Sequence, residues 1–295
     1  MRRFHLISLI DYFYKLASFD NLSDLEKKQL SQPVPGSNFQ YVDKDKWNEF
    51  REYLLNRSTK SNPSLDPELT AYTPGETVKL LTHPKIKDWM EKMRNFTMPE
   101  NFKLIVLVPC AKAKPWGSAR PKKSDLYNAY HAILDMVKNK KLSINGDIYF
   151  VTISEPLGVV PQDFWDTFPQ YDNPGLFKDP VMRSGGLFTR DYSKTPLGEK
   201  QIIPFDTDAY QKAIKSLSAE INNFLNKNNI PGRKFISFVD ENTGNLTTHA
   251  HMLNEANVED ILRPEYRFPK PSGKTSTQKD KVTPLEHYLK YLKNI

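Results

Sequence analysis

The chain has 295 residues, 42 Lys and Arg against 35 Asp and Glu, 22 prolines, 12 glycines and one cysteine. One cysteine closes no internal disulfide and no Cys cluster offers a structural zinc site, which excludes a secreted disulfide scaffold and implies a fold held by its apolar core in a reducing compartment. The run after Met1-Arg2-Arg3 is cut short by Asp11 before it completes a signal peptide, no segment reaches membrane-spanning length, and an aromatic fraction of 12% is too high for disorder. A cytoplasmic, globular, monomeric protein is expected, and its net charge of +7 favours a polyanionic partner.

The first hundred residues read as a helical appendage. Residues 6–16 are amphipathic, Ser23-Asp24-Leu25-Glu26 is a capping box, and Trp47, Phe50, Tyr53 and Leu54 recur at helical spacing. Residues 57–73, rich in Ser, Asn and Pro, read as a linker or surface loop, and a short helix is expected over 86–93. From Phe102 the pattern changes. Three uninterrupted apolar runs, at 104–108, 148–153 and 235–239, read as strands covered on both faces. Helical stretches at 124–139 and 207–226 separate them, which predicts an α/β fold with a mainly parallel sheet flanked by helices. The expected domains are an appendage over 1–100, an α/β base-binding domain over 101–262, and a basic loop with a C-terminal helix over 263–295.

Open α/β sheets bind ligands beyond the carboxyl ends of their strands, so the strand exits hold the candidate site. The first exit is Pro109-Cys110-Ala111-Lys112-Ala113-Lys114-Pro115-Trp116. Lys112, Lys114, Arg120, Lys122 and Lys123 suit phosphates, as do Arg263, Arg267 and Lys274 further on, while Trp116 offers a stacking face; a solvated basic loop is the alternative. Cys110 has no His or acid beside it in sequence, which favours a small buried residue over a nucleophile, and with Ser154 and Gly158 of the next exit it is expected to contact the base. The second exit is Ser154-Glu155-Pro156-Leu157-Gly158, whose turn holds the Glu155 carboxylate over the crevice, to orient water or stabilise a cationic sugar, or else to serve as a salt-bridge partner. Tyr171 and Asp172 pair as a base-stacking ring and a base-binding acid, with Trp165 a further stacking candidate. His249-Ala250-His251 places two imidazoles on one side of an extended segment but brings no third metal ligand, so a base contact by His249 or His251 with Asn254 is preferred and neither a metal nor a cofactor is expected.

Together these exits resemble the domain of archaeosine synthases that follows their transglycosylase-like half. The shared pattern stands here as Pro109-Cys110, Lys114, Leu126-Tyr127, Glu155-Pro156-Leu157-Gly158-Val159-Val160-Pro161 and Tyr171-Asp172, over about residues 102–240. The resemblance implies a uracil-DNA-glycosylase-like fold that grips a single base, and a reaction adding lysine to a deazaguanine nitrile in tRNA. This chain has Glu155 where that family has serine, and Asn173-Pro174-Gly175-Leu176-Phe177 where it continues Thr-Gly-Asp-Trp. A basic protein with a base pocket and an added carboxylate is similar instead to Brig-type anti-phage DNA glycosylases, which remove glucosylated hydroxymethylcytosine. The leading expectation is therefore a DNA glycosylase that flips a modified base of phage DNA from the stack and leaves an abasic site, with Glu155 or Asp172 as the catalytic carboxylate. A transferase modifying a 7-deazaguanine base in tRNA or DNA is the alternative, and a nucleic-acid-binding module without chemistry is the third reading.

Overall fold

The computed structural model describes residues 40–41, 44–110, 114–116, 147–173, 201–202, 207–237, 239, 248–258 and 261–262. Among them the elements run β1 (Gln40–Tyr41), α1 (Lys44–Ser61), α2 (Pro74–Leu80), α3 (Pro84–Asn95), β2 (Phe102–Pro109), β3 (Asp147–Ser154), β4 (Gly158–Pro161), β5 (Gln201–Ile202), α4 (Thr207–Lys227), β6 (Lys234–Ser237), α5 (Thr248–Ala256) and β7 (Ile261–Leu262). Contacts divide the chain into two compact units, one from Met1–Lys87 with Pro169–Ser216, the other from Asp88–Phe168 with Leu217–Ile295. The helices expected over 6–16 and 124–139 and the capping box at Ser23 lie outside the described residues. No helix of the described residues is long and apolar enough to cross a membrane.

In the first unit β1 and β5 form a parallel pair. Helix α1 takes its helical spacing from Trp47, Phe50 and Leu54, all buried. Helix α2 starts where Thr73 accepts the Glu76 N–H at 3.2 Å and Pro74 needs no partner for its missing N–H. The Glu76 carboxylate in turn accepts the Tyr72 N–H at 2.6 Å. Residues 57–73 are not a linker. Their first five residues complete α1, a 3-10 turn follows at Pro67–Leu69, and Leu65, Leu69, Ala71 and Tyr72 are buried. The Ser, Asn and Pro content that suggested a loop instead supplies turn geometry to a packed segment, where Asp66 caps the 3-10 turn through the Glu68 N–H.

The second unit holds a five-stranded open sheet in the order β4-β3-β2-β6-β7. Leu104, Ile105, Val106, Leu107 and Val108 are each at most 3% exposed, so β2 is apolar on both faces because it is central and covered on both sides. The sheet is mixed. Strand β2 runs parallel to β3 and β6, and β6 parallel to β7, while β4 returns antiparallel along β3. The return follows from the three residues between β3 and β4, which suffice for a hairpin and not for a parallel crossover. Trp89 of α3 donates its indole N–H to the Val159 carbonyl at 3.2 Å and fixes that helix on the hairpin.

Gly158 opens β4 at φ +73, and a Cβ there would sit 3.4 Å from the Glu220 Cβ of α4. The space admits a methyl group but the backbone conformation penalises any L side chain. Gly158→Ala is therefore expected to lower stability by about 1–2 kcal/mol in denaturant unfolding, the usual cost of a left-handed residue with a Cβ.

Candidate active site

Parallel register makes the site. Pro109 of β2 lies opposite Ile153 of β3, and the Cys110 N–H donates to the Ile153 carbonyl at 3.0 Å, so the residues leaving these two strands emerge side by side. Cys110 is thereby set beside Glu155, which opens the turn into β4. The third contributor comes from the segment after β6, where α5 begins at Thr248 and carries His249 in its first turn.

His249 Nε2 lies 3.3 Å from the Cys110 Sγ and 3.0 Å from the Glu155 Oε2. Glu155 and His249 side chains are 6% and 16% exposed, and Cys110 is half-buried. A single ring proton on Nε2 cannot serve both neighbours. The ring nitrogen lies within hydrogen-bonding reach of the sulfur, and the buried Oε2, which makes no hydrogen bond of good geometry, holds the imidazole chiefly through its charge. Burial acts against the thiolate at Cys110, but the charge and hydrogen bond of His249, with the charge of Lys114, outweigh both burial and the opposing Glu155 and hold the thiol below its ordinary pKa. Burial likewise works against the charged imidazole, yet Glu155 and Cys110 raise His249 well above its ordinary value. Both shifts favour a thiolate–imidazolium pair steadied by a carboxylate, the arrangement of an activated sulfur nucleophile.

Cys110 has no His or acid beside it in sequence, but the sheet places His249 and Glu155 beside it in space. The imidazole pairing is corrected. His249 and His251 lie on helix α5, where residues two apart are separated by about 200° and share no face. His251 is half-buried and Asn254 exposed on the same helix, turned away from the His249 face. Ser154 and Gly158 are buried as the paired residues on either side of the Glu155 turn.

Three rings expected to stack on a base lie inside the protein. Trp116 is stacked on Phe168 with ring centroids 4.4 Å apart and its backbone N–H donates to the Trp165 carbonyl, Trp165 packs near Phe150, and Tyr171 is 2% exposed. Asp172 belongs to the first unit. Its carboxylate accepts the Ser58 hydroxyl, and its backbone exchanges hydrogen bonds with Leu69 and Ala71. Lys112, Arg120, Lys122, Lys123, Arg263, Arg267 and Lys274 lie outside the described residues.

Residues 86–176 match a protein family described as a domain of unknown function (DUF5591). The chain is also 31% identical over 112 residues to the archaeosine synthase subunit alpha of Thermococcus kodakarensis, covering 35% of this chain and 18% of that one. It thus spans about a fifth of the length of the curated relative it matches. No solved structure matches the chain. The family match over 86–176 includes Cys110, Lys114 and Glu155, and the two comparisons together support the archaeosine-synthase-type resemblance. The relative is a synthase, which points away from hydrolysis of a glycosidic bond. The DNA glycosylase of antiviral defence, with its flipped base and abasic site, is therefore withdrawn as the reading of this chain.

Proposed function

We propose that the chain is a transferase that modifies a 7-deazaguanine base within a nucleic acid, adding an amine to a nitrile on that base with Cys110 as the nucleophile. The observation that carries this reading is the contact of the Cys110 sulfur with His249 beside Glu155 at the carboxyl end of the sheet. A nitrile carbon is a weak electrophile, so its conversion calls for a soft nucleophile and for a proton delivered to its nitrogen. The cluster supplies both.

In the first step the Cys110 thiolate forms a C–S bond to the nitrile carbon while one C–N π bond breaks, and the nitrogen takes the Nε2 proton of His249. A neutral thioimidate results. The amine then adds to the same carbon, its surplus proton passes to the now neutral imidazole, and the C–S bond breaks to return the thiolate. The product is an amidine, the base stays in the polymer, and no oxidant or external leaving group is needed. Glu155 keeps the imidazolium charged and in place, and Lys114 adds positive charge beside the sulfur. The basic segments around Lys112, Arg120, Lys122 and Lys123, and around Arg263, Arg267 and Lys274, suit the phosphate backbone of the carrier nucleic acid.

The test is incubation of the chain with tRNA or DNA bearing the nitrile base and a panel of primary amines, followed by digestion and mass spectrometry of the nucleosides. The expected result is a nucleoside heavier by the mass of the amine. Release of free base with the polymer left abasic, or an unchanged nitrile with every amine, would overturn it.

A further inference from the structure

We propose that Cys110, Glu155 and His249 also form a three-ligand site for Zn²⁺, and that the bound ion holds the nucleophile out of reaction. The inference rests on the reading of Cys110 as the nucleophile and adds the regulation of that same site. Each side chain offers one donor atom, and the three atoms lie within 4.8 Å of one another. Thiolate, imidazole and carboxylate are the donor types that zinc selects, and three protein ligands with a fourth position open is a recurrent zinc arrangement.

The second observation is the state of Glu155. Its Oε2 is buried and accepts no hydrogen bond, although it faces the imidazole at 3.0 Å. A buried carboxylate oxygen with unused lone pairs, pointed at a thiol and an imidazole, is an acceptor that a cation would satisfy. The geometry needs little adjustment. Zinc bonds of about 2.0–2.3 Å at tetrahedral angles separate nitrogen from sulfur by about 3.5 Å and nitrogen from oxygen by about 3.3 Å. The present separations are 3.3 and 3.0 Å, so these two pairs open by a few tenths of an ångström, while sulfur and oxygen, within 4.8 Å of each other, settle at about 3.6 Å, the separation that the same bond lengths give.

Charge balances too. Zinc displaces the Nε2 proton to solvent, and the ion then meets one thiolate, one carboxylate and one neutral imidazole, a set of charge minus two against plus two. The metal draws charge from the sulfur, which lowers its nucleophilicity, and it takes the place of the Nε2 proton that the nitrile nitrogen needs. Both losses suppress the first step without altering the fold.

The experiment uses the full metal-stripped chain and the metal alone. Co²⁺ is titrated as a spectroscopic stand-in and displaced by Zn²⁺, with affinity set by competition against a chromophoric chelator. Because the chain has one cysteine, any sulfur-to-cobalt charge-transfer band reports on Cys110. One equivalent with that band is expected. Cys110→Ser should abolish the band, while Cys110→Ser and His249→Gln should each weaken binding beyond the roughly 10–100-fold that losing an outer-shell partner costs. Circular dichroism of each variant confirms that it is folded, and Glu155→Gln provides a third, milder variant with weakened binding. Absence of the band in the wild type, or equal affinity in Cys110→Ser, overturns the site. At Zn²⁺ about 100 times its dissociation constant roughly 1% of the thiol stays free, so adduct formation with the nitrile should fall about 100-fold and recover with chelator. Stoichiometric binding with an unchanged adduct rate overturns the inhibitory role. Failure of the metal-free chain to form any adduct is a failure of the proposed function instead, and the binding titration reads independently of it.

Discussion

Replacing Cys110 with serine should abolish amine transfer, with a loss on the order of 10⁴-fold or more, as removal of the nucleophile does in other enzymes that work through a covalent intermediate. The serine hydroxyl is nearly isosteric, so the sheet and the β3–β4 turn should stay folded. What disappears is the ability to ionise beside His249, because an alcohol in the same field remains far from its alkoxide at neutral pH. His249→Gln removes the proton donor instead and should cost about 10²–10⁴-fold, the usual range for a positioned acid–base group. Turnover of nitrile-bearing nucleic acid, followed by nucleoside mass spectrometry at saturating amine, checks both. Equal loss in the two variants would mean that they act as one unit; retention of activity in Cys110→Ser would remove the covalent route.

The largest effect on stability is expected at Arg233. Its side chain is buried at the amino end of the sheet, where Nε donates to the Phe102 carbonyl at 3.0 Å, Nη1 to Asn228 at 2.7 Å and Nη2 to Pro99 at 2.6 Å. Asn228 continues the network by accepting the Met98 N–H at 2.7 Å and donating to the Phe224 carbonyl at 2.9 Å. These bonds tie the chain entering β2 to the chain entering β6 and so help set the register of Leu104 against Lys234. Arg233→Met keeps the apolar bulk and takes the guanidinium donor from three carbonyls, of which Pro99 keeps the Phe102 N–H, and this should cost about 3–5 kcal/mol in denaturant unfolding. Arg233→Lys should recover little, since one ammonium cannot reach three carbonyls in a fork geometry. Cys110 stands at the opposite ends of these strands, so the folded fraction of Arg233→Met should still form the covalent adduct.

Much of the second unit was legible in the sequence because its strands are continuous apolar runs. Residues 104–108 and 148–153 fall inside β2 and β3, and α4 spans nearly the residues that its apolar periodicity marks. Strand β4 was not legible, since Gly158-Val159-Val160-Pro161 is too short to stand out from the turn that precedes it. The mixed sheet follows from that one strand. At the site, the exits of β2 and β3 were recognised as the place to look, and Glu155 was found there. His249 and Cys110 are 139 residues apart, and no local pattern joins them. The general rule that residues leaving parallel strands converge would have paired Cys110 with Glu155 and pointed to the helix after β6. The placement of the aromatic residues was not legible either. Trp116, Trp165 and Tyr171 sit near basic or acidic neighbours in sequence, but burial of their large apolar surface outweighs their use as stacking platforms.

If Cys110 bonds to the carbon of a base nitrile, intact-mass analysis of the full chain reads that bond itself. The metal-free chain is incubated with 7-cyano-7-deazaguanine, free or within a nucleic acid, with amine withheld so that the second step cannot proceed. The expected product is an adduct heavier by the whole mass of the nitrile compound, mapped by peptide sequencing to Cys110, absent in Cys110→Ser and discharged when amine is added. An unmodified chain, or an adduct on any residue other than Cys110, would contradict it.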